Sequence, residues 1–277
     1  MGRRPSPIMP LMPSFLRLLA IDSSTDILSV ALGSGAPGAP MWQHSGPGAA
    51  QSSATLLPTV QSLLGQAGWT LHSLDAIVFG RGPGSFTGLR TACAVAQGLA
   101  YGAGGLPVLP VDTLLALAEA AREQRLIAGQ PQPAVIAALL DARMDETYVA
   151  LYACGPQGLE ATPLQPPRLC APALLGAHLR ESLPTGLTLE AGDCLLAGNV
   201  FEPYAAGLAD LPGPRERALP TAMALLALAP ALLAAGRAVA AQDALPLYVR
   251  DQVARTTAER ERLRLEQAAL RPAPQGA

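Results

Sequence analysis

Lysine is absent from this 277-residue sequence, in which all 19 basic residues are arginine. Without a lysine amine the chain cannot form a Schiff base, and it cannot contain the lysine of a Walker-type phosphate loop. Charged residues make up only 14% of the chain, and the formal net charge is −2. This charge lacks the basic excess that neutralises RNA phosphates, which argues against a self-contained RNA-binding protein.

Cysteine and histidine are also few. The four cysteines are widely separated in sequence: Cys93, Cys154, Cys170 and Cys194. The three histidines are isolated from one another: His44, His72 and His178. Because there is no Cys-x-x-Cys or His-x-x-x-His pair, we expect no zinc ribbon, helical metal site or disulfide framework, and we interpret the cysteines as small buried residues. We therefore predict no metal, no cofactor and a reducing, cytoplasmic location.

Half of the residues are hydrophobic, which is enough for a packed core in one large or two modest domains. We divide the chain into a disordered extension (1–15), an N-terminal lobe (16–112), a C-terminal lobe (113–250) and a charged helical tail (251–277). Prolines interrupt the apolar part of the extension, which argues against a signal peptide. The uncharged stretch 218–236 is rich in alanine and contains two prolines, so we interpret it as a buried helix rather than a membrane span.

Two short hydrophobic runs, each followed by a polar turn that begins and ends on aspartate, open the two halves of the chain. The run 18–21, the turn 22–26 and the run 27–32 predict a β-hairpin. A similar unit begins 119 positions later, where Asp141 and Asp145 align with the two aspartates of the first turn. The pattern predicts two related lobes, each opened by a hairpin.

Between and after the hairpins, hydrophobic residues follow helical and extended spacings in turn, which is typical of an α/β protein. We predict further strands at 75–79, 106–111 and 188–191. We predict helices at 52–67, 89–102, 113–125, 172–183 and 221–235. A short final segment follows at 247–250.

The sharpest motif lies between a predicted strand and a predicted helix. It consists of Gly80, Arg81, Gly82, Pro83, Gly84, Ser85, Phe86, Thr87, Gly88, Leu89 and Arg90. Glycine N–H groups at the start of a helix can bind an anion, but these glycines are not spaced as in a dinucleotide fingerprint, and Leu89 stands where a Walker loop has lysine. We therefore interpret the segment as a tight strand-to-helix turn with capping hydroxyls, and a ligand or partner surface is the alternative.

The first polar turn, residues 22–25, resembles the first phosphate hairpin of the actin, hexokinase and Hsp70 group. In active members of that group an aspartate and small hydroxyl residues meet Mg²⁺ and phosphates there. The opposing hairpin should then provide a second small, N–H-rich turn. Here Asp141 is followed by Ala142, Arg143 and Met144, so the pattern favours this fold with a degenerate nucleotide site.

Taken together, these segments resemble the TsaB family, also called YeaZ. The order and spacing hold from about residue 16 to 250, through the segments 19–25, 56–58, 80–90, 141–148 and 246–250. The resemblance implies a two-lobed, α/β actin-like ATPase fold, which is ribonuclease H-like. It also implies a non-catalytic accessory subunit of the bacterial complex that makes threonylcarbamoyladenosine next to the tRNA anticodon.

The resemblance further implies partners. A TsaD-type catalytic subunit, a TsaE-like ATPase and a second copy of the chain are the expected protein partners, and tRNA is reached only through the complex. Pairing with the TsaD-type subunit is expected through the two helices of the first lobe. On these helices we expect the following interface residues: Leu56, Val60, Leu63, Leu89, Ala92, Cys93 and Ala96. One departure from the family pattern is Ser52, where relatives often have histidine, so no role of that histidine is transferred.

Two enzymatic hypotheses remain as alternatives. An actin-fold phosphotransferase would need an intact second phosphate hairpin, which the turn at 141–145 does not provide. A peptidase would need a nucleophile with a base or a metal, and the sequence shows neither a Gly-x-Ser-x-Gly elbow nor a metal motif.

Overall fold

The computed structural model describes residues 15–48, 51–156 and 158–250. The extension predicted at 1–15, apart from its last residue, and the tail predicted at 251–277 lie outside the described residues. Within the described part, no helix is long and apolar enough to cross a membrane.

The first sheet has five strands arranged around the predicted first hairpin. Strands β1 (Leu18–Asp22) and β2 (Ile27–Gly33) pair antiparallel, which confirms that hairpin. Strand β3 (Met41–Pro47) adds an antiparallel edge that the hydrophobic pattern did not predict, because most of its side chains are exposed. Strands β4 (Ala76–Gly82) and β5 (Val108–Asp112) continue the sheet in parallel, giving the order β3-β2-β1-β4-β5.

The second sheet repeats this design. Its strands are β6 (Val135–Asp141), β7 (Thr147–Gly155), β8 (Gly158–Leu159), β9 (Arg168–Cys170), β10 (Cys194–Gly198) and β11 (Arg215–Arg217). Strands β6 and β7 form the predicted second hairpin, while β10 and β11 run parallel to β6. With β9 beside β7, the order β9-β7-β6-β10-β11 matches that of the first sheet, which confirms the repeat.

One predicted strand is wrong. Residues 188–191 form a turn, and the strand lies a few residues later, as β10. Side-chain hydrogen bonds stabilise the turn. The Thr188 N–H donates to the Asp193 carboxylate at 2.8 Å, and the Ala191 N–H donates to the Thr188 hydroxyl at 3.0 Å. Local bonds of this kind compete with strand pairing, which explains the error.

Within residues 15–250, as far as they are described, five α-helices complete the fold in layers. They are α1 (Ser52–Ala67), α2 (Phe86–Gly102), α3 (Thr113–Ile127), α4 (Leu175–Ser182) and α5 (Ala222–Ala234). Helices α1 and α2 cover one face of the first sheet, and α4 covers the outer face of the second. Helices α3 and α5 lie between the sheets in one buried cluster that includes Val78 of β4 and Tyr152 of β7. Two matching sheets with helices between them constitute the two-lobed actin-like ATPase fold.

The helix predicted at 221–235 is α5, and its apolar composition reflects burial between the sheets. The predicted lobe boundary at 112 coincides with the junction of β5 and α3. However, α5 follows the second sheet in sequence and packs against the first sheet and α3. The division of the chain into lobes at 112 therefore stays a prediction.

Candidate functional site

The glycine motif is a tight connection between β4 and α2. Strand β4 extends through Gly82, the Gly82–Pro83 peptide bond is cis, and α2 begins at Phe86. The helix begins three residues before the predicted start at 89 because Ser85 caps it. The Ser85 hydroxyl accepts from the Gly88 N–H at 3.5 Å, and its carbonyl accepts from the Leu89 N–H at 2.9 Å.

Two glycines of this motif lie directly against the turn of the first hairpin. The Ser23 hydroxyl donates to the Gly88 carbonyl at 2.8 Å, and the Ser85 N–H donates to the Ser24 carbonyl at 2.7 Å. A methyl group at Gly84 would overlap Ser24, and one at Gly88 would overlap the carbonyl of Ser23. These positions therefore need glycine for close approach of two backbones.

Asp22, the first residue of that turn, is completely buried. Its Oδ1 accepts from the Ser24 N–H at 3.0 Å and from the Ser24 hydroxyl at 2.7 Å. Its Oδ2 faces Gly80 and has no hydrogen-bond partner among the described residues. Burial raises the pKa of Asp22 from 3.8 to about 6, although the Ser24 hydrogen bonds oppose the shift. While the glycine motif covers it, this carboxylate cannot be reached by a phosphate or a phosphate-bound metal.

The second hairpin turn is held by hydrogen bonds to Asp141. Arg143, Met144 and Asp145 all have positive φ angles, of 61°, 57° and 59°, a conformation uncommon for residues other than glycine. The Asp141 carboxylate accepts from the Arg143 N–H at 2.7 Å and from the Tyr204 hydroxyl at 2.6 Å. Both acidic side chains that could face a nucleotide are therefore engaged or buried within the chain.

Arg143 also connects the two turns. Its guanidinium donates to the Asp26 carboxylate of the first turn at 2.6 Å. Both side chains are about 70% exposed, at 69% and 71%, so solvent screens this ion pair. The contact nevertheless joins the two turns through a positively charged group.

Residues 239–250 form a segment that we name the C-terminal strap. Val239 pairs with Val108 at the edge of the first sheet. The carbonyl of Ala244 accepts from the Cys93 thiol at 3.1 Å and from the Gln97 amide at 3.0 Å, which fastens the strap along α2. The predicted final segment at 247–250 is the end of this longer structure.

The end of the strap covers the glycine motif and reaches the second lobe. The Leu247 N–H donates to the Arg81 carbonyl at 2.7 Å, and the Tyr248 ring lies 5.2 Å from the Phe86 ring. Arg250 donates to the Ala142 carbonyl at 3.1 Å and pairs with Glu146 at 2.5 Å. Sequence reasoning missed this role because irregular chain has no hydrophobic period.

The remaining polar residues of the motif also serve the fold. Arg81 pairs with Asp112 at 2.5 Å. The Arg90 guanidinium lies 3.8 Å from the centre of the Phe86 ring and donates to the Tyr248 hydroxyl at 3.2 Å. Both arginines therefore bind neighbouring elements of the same chain.

A small cavity remains between the motif, the second turn and the strap. It has a volume of about 220 Å³ and is lined by Pro83, Phe86, Met144, Tyr148 and Tyr248, among others. Sites for small molecules usually have volumes of about 300–1,000 Å³. This cavity is therefore smaller than an ordinary nucleotide site.

The residues predicted at the partner interface lie on the inner side of α1 and α2. All seven are buried, with 5% exposure or less: Leu56, Val60, Leu63, Leu89, Ala92, Cys93 and Ala96. All but Leu89 belong to the core cluster between the two helices and the first sheet. They are the apolar stripe that attaches α1 and α2 to their own lobe. Their place in a partner interface stays a prediction.

The outward faces of α1 and α2 are formed by other residues. Leu57, Gln61 and Gly65 are exposed on α1, and Ala94, Gly98 and Tyr101 are exposed on α2. Helix α1 contains no charged residue, and α2 contains only Arg90. Ser52, at the start of α1, is buried and its hydroxyl has no partner among the described residues.

The cysteines and histidines do not form a centre. Cys93, Cys170 and Cys194 are buried, and Cys154 is half-buried. Among the described residues, no group of three or more histidine, cysteine, aspartate or glutamate side chains could hold a metal ion.

Comparisons with known proteins agree with this geometry. A model of the TsaD family, tRNA N6-adenosine threonylcarbamoyltransferase, matches residues 48–164. The tRNA threonylcarbamoyladenosine biosynthesis protein TsaB of Escherichia coli K12 is 32% identical over 86% of this chain and 96% of its own length. TsaB of Haemophilus influenzae is 41% identical over 48% of this chain, and this match spans about half, 52%, of that relative.

Two solved structures from Pseudomonas aeruginosa share the fold. YeaZ has a TM-score of 0.68 at 34% identity, covering 84% of this chain and 99% of that chain. A structure described as an uncharacterized protein with similarity to peptidase YEAZ has a TM-score of 0.70 at 34% identity, covering 85% and 100%. Because the similarity extends over nearly the whole length of both the Escherichia coli relative and the solved structures, the chain belongs to the TsaB family, also called YeaZ.

Proposed function

We propose that this chain is a non-catalytic subunit in the biosynthesis of threonylcarbamoyladenosine in tRNA, and that it binds and activates a TsaD-type catalytic subunit. The names of its relatives assign that biosynthesis to the family. The observation that supports the non-catalytic role most directly is the burial of Asp22 under the glycine motif. A phosphate-handling carboxylate has to be open to its ligand, and this one is covered by backbone.

The surface proposed for the TsaD-type subunit is the outward face of α1 and α2. The cores of protein interfaces are depleted in charged residues, and these two helices contain a single charge, Arg90. Exposed small residues, such as Ala94 and Gly98, permit a partner helix to approach closely. Leu57 and Tyr101, which are 46% and 74% exposed, provide apolar area at this face.

The same face would serve a second copy of the chain, so self-association and pairing with the catalytic subunit would exclude each other. A TsaE-like ATPase is the proposed third component. We propose that tRNA is bound only through the complex, because the net charge of −2 does not favour binding of RNA by this chain alone. A cytoplasmic location is part of the same proposal.

The phosphotransferase alternative is less well supported. It would require Asp22, which is completely buried, to become exposed. The cavity beside the glycine motif, of about 220 Å³, is also small for a nucleotide.

The peptidase alternative has one pair of residues to consider. The Ser182 hydroxyl lies 3.3 Å from Nδ1 of His178 on helix α4. Both side chains are more than 90% buried, and burial lowers the pKa of His178. A nucleophile must meet its substrate, so this pair is better explained as a buried hydrogen bond within one helix.

Reconstitution of threonylcarbamoyl transfer to tRNA tests the proposal. We expect the chain alone to hydrolyse no ATP and modify no tRNA, and the TsaD-type subunit to gain activity when the chain is added. The variant Asp22→Asn should support this activity as well as the unmodified chain, since a covered carboxylate has no part in the reaction. Loss of activity with a folded Asp22→Asn variant, or ATP turnover by the chain alone, would overturn the non-catalytic assignment.

A further inference from the structure

A second cleft lies at the opposite end of the first sheet from the glycine motif. Here β1 and β4 begin and β2 ends, whereas the motif lies where β4 ends. The cleft has a volume of about 860 Å³, within the range of about 300–1,000 Å³ that is usual for binding sites. It is lined by Phe15, Leu16, Arg17, residues of the loop 34–40, Trp42, Trp69, Ser73 and Asp75. None of these residues belongs to the proposed partner surface.

The cleft is aromatic, although the chain has few aromatic residues. Trp42 and Trp69 are the only tryptophans of the chain, and both line the cleft. Their ring centroids are 5.4 Å apart at an angle of 66°, an edge-to-face pair. Each packs against the core under α1 and is only half-buried. Core packing therefore fixes the inner side of the tryptophan pair, and its outer side is accessible from the cleft.

Polar groups of the cleft hold its wall in place. The Arg17 guanidinium lies 5.5 Å from the centre of the Trp69 ring, a cation–π contact. The backbone N–H of Arg17 donates to the Asp75 carboxylate at 2.7 Å. Phe15, at the entrance, is 74% exposed. A rigid apolar wall with an exposed aromatic entrance is the kind of surface that takes an extended peptide.

The sequence that leads directly to Phe15 has a matching pattern. Prolines occur at 7, 10 and 13, so that every third residue is proline. Between them lie only Ile8, Met9, Leu11 and Met12. A polyproline II helix has three residues per turn, which would place the three prolines on one ridge. Grooves lined with aromatic side chains recognise such ridges in known peptide-binding domains.

We propose that this cleft binds the chain's own segment 5–13 in an extended polyproline conformation, with the proline ridge against Trp42 and Trp69. Ser14 is the only residue between the segment and Phe15, which itself lines the cleft. Such a short tether gives an effective concentration in the millimolar range, so weak contacts suffice for occupancy. Binding of such a segment loses little conformational entropy, because a polyproline chain is already restricted when it is free.

Tryptophan fluorescence of the full chain tests this proposal, since both tryptophans report on the cleft. The test variant replaces Pro7, Pro10 and Pro13 by serine and keeps the chain length. We expect its emission maximum to move to longer wavelength and its quenching by acrylamide to increase. A peptide with the sequence of residues 4–14, added to this variant, should reverse both changes in a saturable manner. The control variant Pro166→Ser changes an exposed proline elsewhere and should match the unmodified chain.

Two results would overturn the proposal. The first is equal emission and quenching of the triple variant and the unmodified chain, with no response to the peptide. The second is a dependence on protein concentration: the tryptophans become more accessible to acrylamide on dilution, and gel filtration shows that a dimer dissociates over the same range. In that case the occupant is a second copy of the chain and not its own segment.

Discussion

Single glycines of α2 have different functions. Gly88 and Gly98 both lie in α2, but a methyl group at Gly88 would overlap the Ser23 carbonyl, while one at Gly98 would meet nothing within 4 Å. Overpacking a closely fitted site costs about 1–3 kcal/mol, whereas alanine in place of an exposed helical glycine stabilises by about 0.5–1 kcal/mol.

These two positions give a matched prediction. Gly88→Ala should lower the free energy of unfolding by about 1–3 kcal/mol, and Gly98→Ala should raise it by about 0.5–1 kcal/mol. Urea unfolding of the isolated chain measures both. If Gly88→Ala proved as stable as Gly98→Ala, the close contact between the glycine motif and the first turn would be refuted.

Asp22 should make stability depend on pH. Its pKa is raised by burial from 3.8 to about 6, so the folded chain binds more protons than the unfolded chain between these values. Stability should therefore fall as the pH rises from about 4 to about 6 and remain lowered above that, by on the order of 2–3 kcal/mol.

The variant Asp22→Asn removes this ionisation. We expect it to be more stable than the unmodified chain at neutral pH and to lose the decline between about pH 4 and 6. Denaturant unfolding at several pH values gives the comparison, and the exposed Asp210 provides the control Asp210→Asn. An unchanged pH profile in Asp22→Asn would show that Asp22 ionises normally in the folded chain.

At the scale of elements, α1 and α2 have two faces with separate tasks. The apolar stripe with helical period was visible in the sequence, and it predicted the helices well. It could not show which residues contact a partner, because the apolar stripe packs against the first sheet of its own lobe. A charge at Ala92 or Ala96 would therefore test folding, whereas a charge at Ala94 tests pairing.

We expect Ala94→Glu to fold normally and to weaken binding to the TsaD-type subunit at least about 30-fold, since burying an unpaired charge in an interface costs on the order of 2–5 kcal/mol. Ala231→Glu places the same change on an exposed position of α5 and should leave affinity unchanged. Titration calorimetry with the purified partner measures both constants. Unaltered binding of Ala94→Glu would exclude this face of α2 from the interface.

At the scale of the whole molecule, the C-terminal strap joins the two lobes. Arg250, with a side chain only 14% exposed, bonds to Ala142 and Glu146 of the second lobe, while Leu247 bonds to the glycine motif of the first. The exposed pair Arg143–Asp26 also crosses between the lobes, but solvent screens it. The strap should therefore hold the lobes together more strongly than that ion pair.

Two variants compare the connections. Arg250→Gln removes charge-assisted hydrogen bonds and should lower the free energy of unfolding by about 2–3 kcal/mol, with faster amide exchange along 239–250. Asp26→Asn removes the exposed pair and should cost less than about 1 kcal/mol. Hydrogen exchange and denaturant unfolding distinguish them, and equal effects would contradict the role assigned to the strap.

The sequence by itself determined the class of fold, the two hairpins, most helices and the family. Period and composition act locally, so the apolar runs, the turns that begin on aspartate and the glycine motif could be interpreted without coordinates. The sequence did not predict the edge strand β3, because a mostly exposed strand shows no hydrophobic period. It misplaced β10, because side-chain hydrogen bonds make a turn of the residues just before this strand.

Only the tertiary structure decided what the glycine motif does. Burial of Asp22, the hydrogen bond from Tyr204 to Asp141, and the course of the strap all depend on residues distant in sequence that the fold brings together. The same holds for the two faces of α1 and α2. The spacing of apolar residues predicts that each helix has an apolar face, but it does not show which element packs against that face. A contact between distant segments is a property of the packed chain, and no local pattern encodes it.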